Sequence, residues 1–177
     1  MKEQNGNTEF LPIPHFPDRR EFKPKLERQQ VERITELANM YDIDFSEVFR
    51  RIVLSGLVVH YAKMKGGSVK ITRDKELMFF NQQSNPTQQE PEGLSIEFSI
   101  NHRRQRQINA NVGSAALAEI EDVANFHHRT VEEVFQESIK LGLEITEASV
   151  DPYSQAILTE SNGEWGIMNP IRSFTSD

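Results

Sequence analysis

The sequence predicts an α+β fold made of two copies of one strand–helix–helix unit, each followed by a β-hairpin. Residues 20–57 align with residues 106–143 without a gap, at an offset of 86 positions. The aligned identities are Arg20/Arg106, Ile34/Ile120, Ala38/Ala124, Asn39/Asn125, Glu47/Glu133, Val48/Val134, Phe49/Phe135, Gly56/Gly142 and Leu57/Leu143. Apolar periodicity alone would not match asparagine to asparagine and glycine to glycine, so the repeat indicates a duplication.

Composition and charge limit the classes of function. The 177 residues suffice for one compact domain or two small ones, and 37% hydrophobic residues support a lean core. A net charge of -7 counts against nucleic-acid binding by the whole surface, so any DNA contact requires a local basic patch. There is no cysteine, no apolar run long enough for a bilayer and no signal-peptide pattern at the N-terminus. We therefore expect a soluble cytoplasmic protein without a membrane partner.

Each copy shows the same order of elements. The strands are predicted at Phe22–Leu26 and at Arg106–Val112, and the second alternates polar and apolar residues. Apolar residues at helical spacing follow, with Ser114 as the expected N-cap of the helix in the second copy. Asp44 and Thr130 begin the second helices, and each has a glutamate three positions on, which is the capping-box pattern.

The remaining segments complete a predicted domain organisation. A hairpin trails each copy, at 68–80 and at 154–168, and Asn162-Gly163 marks the second bend. Residues 94–100 (LSIEFSI) alternate and predict an extra strand that has no partner in the first copy. Trp165 is expected to pack on the helices. The full prediction is a disordered or peptide-like segment 1–19, a first unit 20–80, a flexible linker 81–93, a second unit 94–168 and a loose tail 169–177.

The order strand, helix, capped turn and helix resembles the ribbon-helix-helix superfamily, the MetJ/Arc type of β-ribbon DNA reader. Residues 104–145 carry the clearer match and residues 20–63 a weaker one, so the resemblance covers about half of the chain. It implies two units paired through their strands, giving an antiparallel ribbon over four interlocked helices. Because both units lie on one chain, the resemblance implies tandem ribbon-helix-helix units in a single-chain pseudo-dimer.

The resemblance also implies a DNA-binding transcriptional regulator whose ribbon enters the major groove of double-stranded DNA. The residues expected to face the bases are Lys23, Lys25, Gln107, Asn109 and Asn111. The amide side chains of asparagine and glutamine can form two hydrogen bonds with one adenine, and lysine favours guanine or phosphate. The expected phosphate contacts are Arg19, Arg20, Arg103, Arg104 and Arg106. The two strands differ, so the implied target site is asymmetric.

Three departures from the family pattern favour an alternative function, and the first of them is the net charge of -7. Pro24 lies in the middle of the predicted ribbon and removes a hydrogen-bond donor. Glu132, Glu133 and Glu137 lie at the start of the last predicted helix, an end that approaches phosphate in the family. The alternative is a protein-interaction module, antitoxin-like or an adaptor, that keeps the fold without strong DNA binding. Further self-association of pseudo-dimers is compatible with either function.

No motif indicates catalysis or a resident cofactor. Nucleotide-binding loops, nucleophile elbows and zinc-binding helix motifs are missing from the sequence. His127 and His128 are adjacent and lack the spacing of a metal site, and His60 is expected at the surface or with a satisfied hydrogen bond. We therefore predict a protein that is not an enzyme and that uses no cofactor and no metal.

Overall fold

The computed structural model describes residues 20–73, 94–100 and 106–171, and for residues 94–100, 106 and 107 it describes backbone pairing alone. Four helices and two small antiparallel sheets make up this part of the chain, which is a mixed α+β arrangement. In chain order the elements are β1 (Arg20–Phe22), α1 (Arg28–Tyr41), α2 (Phe45–Met64), β2 (Ser68–Thr72), β3 (Leu94–Ile100), β4 (Arg106–Val112), α3 (Ser114–His127), α4 (Val131–Val150), β5 (Gln155–Thr159) and β6 (Trp165–Met168).

The four predicted helices are confirmed, with changes at two starts. Asp44 is the N-cap of α2, but its side chain forms no capping hydrogen bond, so the capping box predicted there was wrong. Thr130 caps α4 through its hydroxyl, which accepts a hydrogen bond from the Glu133 amide at 3.2 Å. The N-cap of α3 is Gly113, and Ser114 is the first helical residue, so its prediction as the cap was wrong by one position. The first helix of each copy ends at a left-handed residue, Asp42 in one and His128 in the other, and these two residues align in the repeat.

Helices α2 and α4 are equivalent in the repeat and pack against each other at their glycines. A Cβ atom built on Gly56 would lie 1.9 Å from the Ser138 carbonyl oxygen, and one built on Gly142 would lie 1.7 Å from the Ile52 carbonyl oxygen. Real Cβ atoms are not found at such distances, so only glycine permits this approach of the two backbones. The aligned glycines of the sequence therefore mark the point where the two copies cross.

The first sheet pairs the two copies through their strands, in the order β1–β4–β3. Arg20 lies opposite Val112 and Phe22 opposite Ala110. If this register were extended beyond Phe22, it would set Lys23 opposite Asn109, its own counterpart in the repeat. The predicted extra strand is confirmed as β3, which pairs with the other edge of β4 along its whole length.

The second sheet also joins the copies, in the order β2–β5–β6. The hairpin predicted at 154–168 is confirmed as β5 and β6, with Gly163 at a positive φ of 87° in the turn. In the first copy, β2 pairs with β5 of the second copy, with Lys70 opposite Ile157 and Ile71 opposite Ala156. The rest of the hairpin predicted at 68–80 lies outside the described residues, as do the predictions for 1–19 and 81–93.

Two apolar clusters lie between the helices and the sheets. The larger contains Phe22, whose ring stacks on Phe135 with the centroids 4.7 Å apart, so it joins the first strand to the last helix. It also contains Ile171, whose carbonyl accepts a hydrogen bond from buried Arg51 at 2.8 Å; the predicted loose tail is therefore anchored at this residue. Trp165 is 44% exposed and belongs to neither cluster, so its predicted packing on the helices was wrong.

Candidate nucleic-acid interface

On β1 and on residues 108–112 of β4, the outer face of the first sheet is polar and its inner face is apolar. Phe22, Ile108, Ala110 and Val112 are buried against the helices. The residues that alternate with them include Glu21, which is exposed, and Asn109 and Asn111, which are half-buried. This period of two is what a half-buried strand requires. The predicted base-facing residues Asn109 and Asn111 therefore lie on the outer face.

The first strand is shorter than predicted, and this changes the setting of two predicted base contacts. The sequence predicted a strand over Phe22–Leu26, whereas β1 spans Arg20–Phe22. Pro24 has no N–H and cannot extend the ladder, so regular pairing stops just before it. Lys23 and Lys25 are exposed, but they follow the end of the strand and do not lie within it.

A glutamine of α4 holds the backbone that follows Pro24. The Gln136 side chain accepts a hydrogen bond from the Lys25 amide at 3.2 Å and donates one to the Lys25 carbonyl at 2.7 Å. Both backbone groups of Lys25 are thereby satisfied by one side chain. Gln136 was not predicted from the sequence, although its alignment with Arg50 shows that the two copies differ at this position.

Acidic residues stand next to both asparagines in the register of the sheet. Glu21 of β1 lies opposite Asn111, and Glu97 of β3 lies opposite Asn109. Residues paired across neighbouring strands lie on the same face. The sheet is three strands wide, whereas the resemblance implied a ribbon of two strands, and on β1 and β4 its outer face places Glu21 beside Asn111. Neither glutamate was singled out from the sequence.

The predicted phosphate contacts fall in three settings. Arg20 lies in β1, and its Cζ atom is 5.1 Å from the centroid of the Phe22 ring. Its guanidinium forms an ion pair with Glu132 of α4. Arg106 begins β4, and Gln107 follows it; both are placed by backbone pairing, opposite Ile100 and Ser99 of β3. The other predicted contacts lie outside the described residues: Arg19, Arg103 and Arg104.

The start of α4 already holds its own acidic partners. Glu133 accepts a hydrogen bond from the Thr130 amide at 2.9 Å and so completes the capping box. Arg129 forms an ion pair with Glu137. A helix N-terminus attracts phosphate through its unpaired amides and its dipole, and both are countered here by carboxylates. The acidic residues noted in the sequence thus lie where they would oppose phosphate binding.

An open groove of about 760 Å³ runs beside this helix start, between α4 and the segment that joins β1 to α1. Its lining includes Lys25 and Lys140, which are exposed, together with three carboxylates. Two of those carboxylates, Glu133 and Glu137, are engaged in the capping box and in the ion pair with Arg129. The three cations of the lining, Lys25, Lys140 and Arg129, are balanced by its three carboxylates, so the groove carries no net positive charge.

A pair of histidines joins α2 to the end of α3. His60 is buried, and its Nε2 atom has no hydrogen-bond partner among the described residues, so its predicted surface or satisfied position was wrong. Its ring centroid lies 6.1 Å from that of His127. Burial, together with the nearby positive charges of His127, Lys63 and Arg129, lowers the pKa of His60 from 6.5 to about 4.

We expect this histidine to make folding sensitive to acid. Between pH 6.5 and pH 4 the unfolded chain binds a proton at His60 that the folded chain rejects, so stability falls as the pH falls through this window. The loss reaches at most about 3 kcal/mol. Thermal unfolding of the wild type and of His60→Gln at several pH values measures it, and His128→Asn serves as the control. A stability difference between wild type and His60→Gln that stays constant from pH 6.5 to pH 4 would contradict the prediction.

Other kinds of site receive no support from the residues that the structure describes. Within 20–73, 94–100 and 106–171, no group of three or more potential ligands is arranged to hold a metal ion. In the same part of the chain, no helix combines the length and the apolar character needed to cross a membrane. Compared with models of protein families, with curated proteins and with solved structures, the chain matches none of them.

Proposed function

We propose that this protein is a single-chain ribbon-helix-helix pseudo-dimer that binds double-stranded DNA through the outer face of its β1–β4–β3 sheet. The observation that carries the proposal is the antiparallel pairing of β1 with β4, which are equivalent strands of the two copies. Extended beyond Phe22, their register would set Lys23 opposite its repeat counterpart Asn109, which would put a local two-fold axis at that position. Such an axis between paired strands is what a DNA-reading ribbon uses to align with a site.

The chemistry of the outer face suits direct contact with base edges. Asn109 and Asn111 carry amides that can accept from and donate to one adenine at the same time. Lys23 and Lys25 supply donors for guanine or phosphate beside them. Because the counterparts of the two lysines are asparagines, the two halves of the site would carry different base sequences. No cofactor is needed for this kind of recognition.

The charge distribution limits how many phosphates the protein contacts. Carboxylates occupy the start of α4, and Arg20 is already paired with Glu132. Phosphate contacts are therefore left to Lys25, Lys140 and the arginines at 103–106. We expect about three to five contacts, which gives a slope of roughly -3 to -5 for the logarithm of affinity against the logarithm of salt.

Replacement of both asparagines tests the proposal. A binding site is first selected from a random DNA pool, and affinity is then measured by fluorescence anisotropy over a range of salt concentrations. We expect Asn109→Ala with Asn111→Ala to weaken binding to the selected site by about 10-fold or more, since each bidentate contact contributes roughly 1–3 kcal/mol. Glu21→Gln should act in the opposite direction, because it removes a negative charge next to Asn111.

Asn39→Ala with Asn125→Ala is the matched control, because these aligned asparagines are exposed on α1 and α3, away from the sheet. It should leave affinity unchanged. The proposal fails if the wild type shows no salt-sensitive DNA binding at micromolar concentration, or if the asparagines of the sheet and those of the helices behave alike.

The acidic residues at the start of α4 favour a second candidate, a protein-interaction module of the antitoxin or adaptor kind. Glu132 and Glu133 are exposed, and Glu21 lies on the outer face of the neighbouring sheet. This combination fits a partner protein with a basic surface better than it fits a polyanion. Recovery of a stoichiometric protein without DNA in an affinity purification, lost on Glu132→Lys, would favour this candidate.

A further inference from the structure

The segment between β1 and α1 is held at two points by neighbouring residues of α4. Phe22, at the end of β1, stacks on Phe135 with the ring centroids 4.7 Å apart. Three residues on, the amide and the carbonyl of Lys25 both bond to the side chain of Gln136, at 3.2 Å and 2.7 Å. Phe135 and Gln136 follow each other in α4, so a single turn of this helix fixes both ends of the stretch 22–25.

Lys23 lies inside this fixed stretch, and its side chain is exposed. The next residue is Pro24, whose ring restricts φ to a narrow range and removes a further degree of freedom from the backbone. A group that is held in place before it binds loses less conformational entropy on binding. Lys23 therefore meets a ligand with its backbone already positioned.

The second copy holds its equivalent residue by strand pairing instead. Asn109, the counterpart of Lys23, lies inside β4, which pairs with β1 on one edge and with β3 on the other. In the first copy regular pairing ends before Pro24, and the hydrogen bonds from Gln136 replace it. The counterpart of Gln136 is Arg50, whose guanidinium has no acceptor for a backbone N–H. This arrangement is therefore specific to one of the two copies.

We propose that Gln136 is a specificity-determining residue, which fixes Lys23 so that it reads guanine in one half of the DNA site. The inference rests on the proposed function, because it needs the outer face of the first sheet to lie on DNA. Lysine can donate to the O6 and N7 atoms of guanine in the major groove, and this contact requires a defined position of the side chain. A lysine on an unrestrained backbone would follow the phosphates, which are the same in every sequence. Gln136 contacts no base and acts through the backbone of Lys25.

The test compares base preferences in the two halves of the site. Sites are selected from a random DNA pool with the wild type, and each position is scored by competition binding with single-base replacements. The wild type should prefer guanine by about 5-fold or more at one position of the half that Lys23→Ala affects. Gln136→Met keeps the length of the side chain and removes both hydrogen bonds, so it should reduce this preference to about 2-fold or less. Preferences in the half read by Asn109 and Asn111 should stay unchanged.

Further variants separate positioning from a structural role. Gln155→Met makes the same chemical change at a half-buried glutamine of the second sheet and should leave both halves unchanged. Gln136→Glu keeps an acceptor for the Lys25 amide but has no donor for its carbonyl, so its guanine preference should be intermediate. Adding Gln136→Met to Lys23→Ala should cause no further loss of preference. A loss of stability alone would lower the affinity for every sequence by the same factor.

Three results would overturn the inference while leaving the proposed function in place. The first is a guanine preference that Gln136→Met leaves intact, even where affinity falls uniformly. The second is an equal loss of preference in both halves, which would make Gln136 a purely structural residue. The third is a selected site without a guanine preference in the half that Lys23→Ala affects. A wild type without salt-sensitive DNA binding would overturn the inference and the proposed function together.

Discussion

Replacing Gly142 with alanine is expected to abolish cooperative folding or to cost more than about 4 kcal/mol. The added Cβ would lie 1.7 Å from the Ile52 carbonyl oxygen and 3.1 Å from the Gly56 amide nitrogen, so α2 and α4 would have to separate. Most single domains have only about 5–15 kcal/mol of stability in total. In an exposed helix the same change would stabilise by roughly 1 kcal/mol, so the expected sign is opposite to that of helix propensity.

Urea unfolding followed by circular dichroism measures this effect. Glu144→Ala is the matched control, because Glu144 is exposed on the same helix and its replacement should stay within about 0.5 kcal/mol. Gly56→Ala should be similarly severe, since its Cβ would lie 1.9 Å from the Ser138 carbonyl oxygen. The double variant should cost less than the sum, because the helices separate only once. A stable Gly142→Ala protein would mean that the two helices do not cross as closely as described.

Truncating Phe135 to alanine is expected to destabilise the protein by about 3–5 kcal/mol. Phe135 is 1% exposed, and its ring stacks on Phe22 with an angle of 8° between the planes. The substitution leaves a cavity and also removes the packing partner of the last residue of β1. Hydrogen exchange should therefore increase first in β1, which is only three residues long.

Phe126→Ala gives the comparison for this prediction. Phe126 is 55% exposed at the end of α3, so its truncation should change the free energy of unfolding by no more than about 0.5 kcal/mol. Equal losses from Phe126→Ala and Phe135→Ala would contradict the assignment of Phe135 to the shared core. Protection of β1 that is unchanged in Phe135→Ala would contradict the coupling through Phe22.

The repeat in the sequence predicted the elements well, because its matches reflect packing. Asn162-Gly163 predicted a hairpin turn, and the alternation of residues 94–100 predicted a strand, since both patterns are local. No local pattern explained why the glycines at 56 and 142 align. The structure explains it by the close crossing of the two helices at these residues. A pattern that depends on a single element could thus be interpreted from the sequence alone. The element that packs against it could not be predicted in this way.

The candidate site was harder to predict, because its composition depends on pairing between distant segments. The sequence placed Lys23 and Lys25 inside a strand, although Pro24 ends the pairing before them. Nothing local indicates that Glu97 would stand beside Asn109, or that Gln136 would hold the Lys25 backbone. Trp165 was assigned to the core by its size, yet the register of β5 and β6 turns it outward.

The pairing of β1 with β4 also governs the order in which the chain can fold during synthesis. Arg20 finds its partner at Val112, so the first half of the chain leaves the ribosome well before the strand that completes it. At about 5–20 residues per second the wait amounts to roughly 5–20 s. During that interval, the first half of one nascent chain can meet the equivalent half of another on the same message. Pairing of β1 with β4 within one chain therefore competes with exchange of halves between neighbouring chains.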